Sequence, residues 1–142
     1  MNNTLDDVGS VFPSVYYDDA TAAIDFLVRA FGFRRRLVVP GEHGTVRHSE
    51  LTFGRAVVMV ADAHPEFGGR GPKSLGGTSG GLSLYLTDAE VDAHCARARA
   101  AGAEILREPQ DEPYGGRGYM ARDPAGHAWY FGSYIPGEHW TE

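Results

Sequence analysis

Tyr114 to Phe131 reads YGGRGYMARDPAGHAWYF, and it parses as turn, strand, tight turn, strand. Tyr114-Gly115-Gly116 opens a turn, and Gly118 to Arg122 is short and extended. Asp123-Pro124-Ala125-Gly126 is a four-residue turn: proline presets φ at the second position and glycine is favoured at the fourth. His127 to Phe131 is an aromatic-rich strand. The pair predicts the last hairpin of a sheet, a surface that a bound molecule is expected to touch.

Upstream of this hairpin, Leu82 to Leu86 alternates as a strand. Thr87-Asp88-Ala89-Glu90 is a capping box. The helix it starts runs to about Ala101, with Val91, Cys95 and Ala98 on the buried side. Gly102 closes it, Ala103 to Arg107 is a strand, and Pro109 is read as the next turn. The order is β-α-β-β-β.

The first half has the same order. Residues 1–10 read as a loose tail. Val11 to Tyr17 is a strand in which Pro13 implies an edge or a distorted start. Asp19 caps a helix reaching about Phe31, with Ile24, Leu27 and Phe31 on one stripe. Gly32 ends it. Phe33 to Val39, His48 to Phe53 and Arg55 to Ala61 are strands, turned at Pro40-Gly41 and at Gly54. The two halves repeat at about seventy residues, an internal duplication. Gly68 to Gly81 reads as a flexible connector. Its Gly71-Pro72-Lys73-Ser74 lacks the spacing and the leading strand of a phosphate-binding loop. The expectation is one α+β domain of two βαβββ modules, 11–67 and 81–135, joined by 68–80.

Composition narrows the function. A net charge of -6 argues against nucleic acid, which needs a basic face. Arg34-Arg35-Arg36 alternates faces on an extended segment and reads as a solvated edge. No apolar run is long enough to span a membrane. The polar N-terminus is unlike a signal peptide. A single cysteine, Cys95, excludes an intrachain disulfide, and a cytoplasmic setting is expected.

With its DDATAAIDFLVRAFGF and DPAGHAWYF stretches, the doubled βαβββ pattern resembles the vicinal oxygen chelate superfamily. That superfamily includes glyoxalase I, extradiol dioxygenases and bleomycin resistance proteins, and the small PhnB-like, glyoxalase-like branch is nearest in flavour. The resemblance implies a curved mixed sheet in each half, forming a half-barrel cleft with helices on the outer face. It also implies a homodimer with clefts near the subunit contact. Strand parity agrees: Val11, Val15 and Tyr17 face the helix, while Phe12, Ser14 and Tyr16 face the cleft. Leu82, Leu84 and Leu86 are helix-facing, and Ser83 and Tyr85 cleft-facing. Trp129 and Phe131 pack under a helix, and Ala128 and Tyr130 point inward.

Enzymes of the superfamily hold one divalent metal with His, Glu or Gln from the outer strands of each module. Carried over, those positions are Phe12, Met59, Gly81 and Tyr130, none a usual ligand for such an ion. The expectation is therefore no cofactor. The alternative is a displaced site for zinc, iron or manganese built on His48 and Glu50, which share a strand face. Otherwise those two pair with each other, or with Arg47 or Arg55. His127 is read as turn-stabilising, His64, His94 and His139 as surface residues, and Cys95 as a core residue. Without a metal, the candidate ligand-binding residues are Phe12, Ser14, Tyr16, Met59, Ser83, Tyr85, Arg117 and Tyr130, with Val57 between them. Arg122 stands near Arg117 as a second cation for an acidic group. This wall suits an aromatic or cationic small molecule, as in antibiotic-sequestering bleomycin-resistance relatives. The competing class is a metal-dependent lyase, isomerase or dioxygenase.

Overall fold

Pro13 has no N–H to offer a neighbouring strand, so the first ladder begins after it. The computed structural model describes residues 8–64, 66 and 69–137. Its first half contains β1 (Ser14–Tyr17), α1 (Ala20–Phe26), β2 (Arg34–Pro40), β3 (Val46–Phe53) and β4 (Ala56–Asp62). The second contains α2 (Pro72–Leu75), β5 (Gly81–Tyr85), α3 (Val91–Ala100), β6 (Glu104–Asp111), β7 (Arg117–Arg122) and β8 (Ala128–Gly132). Residues 1–7 of the expected tail, residues 65 and 67 at the end of the first half, residue 68 at the start of the connector, and His139 lie outside the described residues.

Each half makes one open four-stranded mixed sheet, in the orders β1-β4-β3-β2 and β5-β8-β7-β6. The first strand of each is parallel to the last, and the other pairs are antiparallel. The fold is the α+β tandem βαβββ arrangement that the sequence indicated. Because side chains alternate along strands, one face of each sheet is buried and the other is left free. Val15 and Tyr17, Val58 and Val60, and Trp129 and Phe131 are buried. Phe31, Phe33, Phe53, Trp129 and Phe131 form one aromatic cluster between the halves, with ring centroids 4.8–5.7 Å apart along the chain of contacts.

The helix ends explain how the halves dock. Asp19 caps α1 by accepting from the Ala22 N–H at 3.1 Å. The helix then loosens into a π-helical turn, Leu27–Phe31, and stops at Gly32 with φ +84°. The last carbonyls of a helix need outside donors. Here Arg97 of α3 donates to the carbonyls of Arg29 at 3.0 Å and Val28 at 3.2 Å. Arg29 returns the contact, donating to the Ala101 carbonyl just beyond α3 at 3.2 Å. A Cβ on Gly32 would stand 3.2 Å from the Arg97 guanidinium, so this glycine serves both the turn and the crossing.

A second tie is buried. Tyr17 of β1 donates to the Asp123 carboxylate at 2.6 Å, and the Trp129 indole donates to the same oxygen at 3.1 Å. The other oxygen accepts from the backbone N–H groups of Ala125 and His127 at 3.1 and 3.0 Å. The turn that opens the sequence argument is thus pinned to the other half. Burial, then the Asp123 carboxylate, push the Tyr17 phenol well above its ordinary range.

Several expectations need correction. Val11 lies outside β1 and is exposed. The connector is not featureless. Gly71-Pro72 starts α2 with proline in the first turn, and Gly76, at φ +77°, ends it. Ser74 latches α2 to Asp18 at 3.0 Å. Pro109 does not end a strand but lies within β6. As an edge strand, β6 tolerates a missing N–H, and its register shifts between Arg107 and Gln110. No helix among the described residues is long and apolar enough to cross a membrane.

Candidate functional site

The free face of the first sheet is built by β1, β3 and β4. Ser14 pairs with Met59, and Met59 with Glu50, which places their side chains on one face. Tyr16 lies further along β1, its ring edge-on to His64 at 6.0 Å. Ser14, Tyr16, His48, Met59 and His64 line a hollow of about 100 Å³. A crevice of about 270 Å³ leads from Ser14 and Tyr16 to Gly81 and Ala128 under the connector. Phe12 lies ahead of β1 and is half exposed, so it extends past the strand rather than standing on it.

On the free face of the second sheet, Ser83 pairs with Tyr130. The Tyr130 ring lies across Gly118 and Gly132, where any Cβ would collide with its hydroxyl. It donates to Glu112 at 3.3 Å beneath the Arg107 guanidinium, 5.9 Å from the ring centre. Burial, then the Glu112 carboxylate, push the phenol up to about 12. Arg107 grips both oxygens of Glu112, whose side chain is only 3% exposed. Burial alone would raise the Glu112 carboxyl. Arg107, Tyr114 and Tyr130 more than offset this and hold it below its usual range. Sequence reasoning missed Glu112, because it follows a strand without a motif. The cation five residues earlier, Arg107, was the available clue.

The expected ligand residues therefore lie on more than one surface of a single chain. Ser14, Tyr16 and Met59 gather on the first sheet, and Ser83 and Tyr130 on the second. Tyr85, 55% exposed, borders a separate groove at the seam between the halves. Arg117 is engaged by Asp92 at 2.7 Å and Asp111 at 3.1 Å, and Arg122 by Glu104 at 3.1 Å. Exposed pairs of this kind are weak, so an anion can displace them, but neither guanidinium stands free.

The side chains at the positions expected from the resemblance to hold a metal are poor donors for a divalent ion. Phe12, Met59 and Gly81 offer no nitrogen or oxygen side-chain donor. The Tyr130 phenol holds its proton more tightly than an ordinary tyrosine. His48 and Glu50 do meet, at 2.9 Å. The second oxygen of Glu50 accepts from Arg36 at 3.0 Å, so the cation there is Arg36 rather than Arg47 or Arg55. Hydrogen bonds from His48, then from Arg36, hold the Glu50 carboxyl below its usual range. Among the described residues no three His, Cys, Asp or Glu side chains are grouped to hold a metal.

The remaining histidines divide. His127 bonds through Nε2 to backbone, at the Tyr16 carbonyl, 2.7 Å away in the other half. His94 is not a surface residue. Its Nε2 lies 2.7 Å from the Phe31 carbonyl and its Nδ1 2.6 Å from the Tyr119 hydroxyl. A neutral ring satisfies both, with Nε2 donating and Nδ1 accepting. Burial pulls its pKa below the ordinary value. Cys95 is buried, and burial pushes its thiol up, as suits a core residue.

Comparison with known proteins places this geometry. Residues 7–131 match the model of the Glyoxalase/Bleomycin resistance protein/Dioxygenase superfamily. The uncharacterized protein Rv0887c of Mycobacterium tuberculosis is 39% identical over 123 residues, covering 84% of this chain and 71% of that protein. The crystal structure of TioX from Micromonospora sp. ML1 superposes with a TM-score of 0.68 at 35% identity, covering 89% of this chain and 100% of that one. A glyoxalase/bleomycin resistance protein from Streptomyces sp. CB03234 gives a TM-score of 0.64 at 30% identity, covering 84% and 96%.

Proposed function

This chain belongs to the Glyoxalase/Bleomycin resistance protein/Dioxygenase superfamily, and from that premise we propose that it is a metal-free small-molecule binding protein of the bleomycin-resistance type. One feature supports the reading: Phe12, Met59, Gly81 and Tyr130 fall at the positions that the family resemblance assigns to metal ligands, and none is a usual ligand for a divalent ion. The guest is an aromatic or cationic compound held by stacking on the sheet faces. Tyr16 and Met59 supply apolar contact on the first sheet, with Ser14 to orient a polar group. Tyr130 and Ser83 do the same on the second. Two copies form a homodimer that brings a first-sheet face of one copy opposite a second-sheet face of the other, in the cytoplasm. This pairing would unite residues that a single chain keeps apart.

The His48–Glu50 contact at 2.9 Å supports the competing reading, a metal-dependent lyase, isomerase or dioxygenase with a displaced site. Two measurements separate them. Intrinsic fluorescence titrated with a panel of ring-containing antibiotics should change for at least one compound. Tyr16→Ala and Met59→Arg should each weaken that binding roughly tenfold or more. Elemental analysis of tag-free protein should find no stoichiometric metal. One equivalent of zinc, iron or manganese that disappears in His48→Ala would replace the binder with the enzyme.

A further inference from the structure

We propose that the seam between the two modules carries a second binding site, specific for a small aromatic anion. The groove there has a volume of about 730 Å³, within the range of small-molecule sites. It is bordered by Arg34 at the start of β2, Arg55 in the β3–β4 turn, Phe53, Leu84, Leu86 and Tyr85. Three observations define its ligand.

The first is charge. Most arginines of this acidic chain are committed to carboxylates or helix carbonyls. Arg34 and Arg55 have no such partner among the described residues, and both open onto this groove. The one acidic residue bordering it, Glu90, is engaged in the helix cap. Its carboxylate accepts from the Thr87 N–H at 2.9 Å and hydroxyl at 2.8 Å, holding it below its usual range. Two free guanidinium forks with the neighbouring carboxylate spent on a helix cap favour an anion with several oxygens.

The second is the ring. Tyr85 is an exposed large aromatic at the end of β5, on the side opposite the buried Leu84 and Leu86, and it borders the groove together with the half-buried Phe53. That supplies a stacking face next to the cations. The third is position. The groove lies where β5 of one module approaches the β3–β4 turn of the other, away from Met59 and Tyr130. The site goes beyond the function proposed above, since its lining includes none of Ser14, Tyr16, Met59, Ser83 and Tyr130.

The test is a titration of the isotope-labelled full chain with phenyl phosphate, followed by amide chemical shifts, with benzylamine as the charge-reversed control. Shifts should move at Gly54, Arg55 and Leu84 to Leu86, saturate, and weaken as salt rises. The Arg34→Gln/Arg55→Gln double variant, altering two exposed side chains, should fold and lose binding by roughly tenfold or more. Tyr85→Ala should weaken it by roughly threefold to tenfold. Equal binding of benzylamine, or an unaffected double variant, would overturn the site. Shifts confined to Ser14, Tyr16 and Met59 would also overturn it, while leaving the sheet-face reading intact.

Discussion

The β3–β4 turn at Gly54-Arg55 and the β7–β8 turn at Asp123 to Gly126 occupy matching places in the two modules, yet they do opposite work. The second is folded into the molecule. Asp123 is 4% exposed and takes four donors, two of them buried side chains from both modules. The first stays at the surface, with Arg55 facing an open groove. The two modules present hairpin tips at matching places, one serving as an anchor and the other left at the surface. A buried carboxylate makes a turn indispensable to folding, and an exposed unpaired cation leaves its turn free to change.

The sharpest way to break this contrast is to remove each polar group in turn. Asp123→Ala strands the Tyr17 hydroxyl and the Trp129 indole N–H in the core, and should cost on the order of 2–5 kcal/mol in urea unfolding. Arg55→Ala should leave the unfolding midpoint where it was. Equal losses would dissolve the distinction between anchor and free turn.

The same logic applies to the two carboxylate clusters on the sheet faces. Glu112 is nearly inaccessible and gripped by Arg107, whereas Glu50 is solvated beside Arg36 and His48. Glu112→Gln should destabilise by about 1–3 kcal/mol, and Glu50→Gln should not shift the midpoint. The Glu112 carboxyl is depressed in the folded state. Its contribution is therefore present above the unfolded carboxylate value and lost as pH falls through the lower folded one. An acid unfolding profile should lose part of its slope in Glu112→Gln and a smaller part in Glu50→Gln, whose depressed carboxyl is more open to solvent.

The smallest expected effect concerns His94, at the contact of α3 with the π-helical turn. Its folded pKa lies below its unfolded one, so the unfolded chain binds more protons between the two. Stability should rise with pH through that window and level off above about 6.5, the unfolded histidine value. Replacing His94 with Gln should flatten the slope there, and an unchanged profile would show that the ring is solvated.

The fold was legible because its evidence is local and repeated. Asp19 with Gly32, and Thr87 with Gly102, mark two helices in the same frame, and strand alternation assigns each side chain to a face. Pro109 misled because proline at a sheet edge and proline in a turn look alike in one dimension. The site was less legible for a related reason. Parity says which face Met59 or Tyr130 occupies, but not which faces meet. It cannot foresee that Tyr130 lies down across two glycines toward Glu112. His94 looked superficial because its partners, the Phe31 carbonyl and Tyr119, come from elements distant in the chain.

The crossed contacts of Arg29 and Arg97 bear on what the smallest autonomous piece of this molecule is. Each half ends its own helix with bare oxygens and carries the guanidinium that finishes the other's. A fragment cut out at the connector would keep its strands in order but lose the complement for its helix terminus. Supplying the missing half in trans as a separate polypeptide restores what is lacking, so the two pieces should reassemble when mixed. A lone half would have to find its match in another molecule of itself.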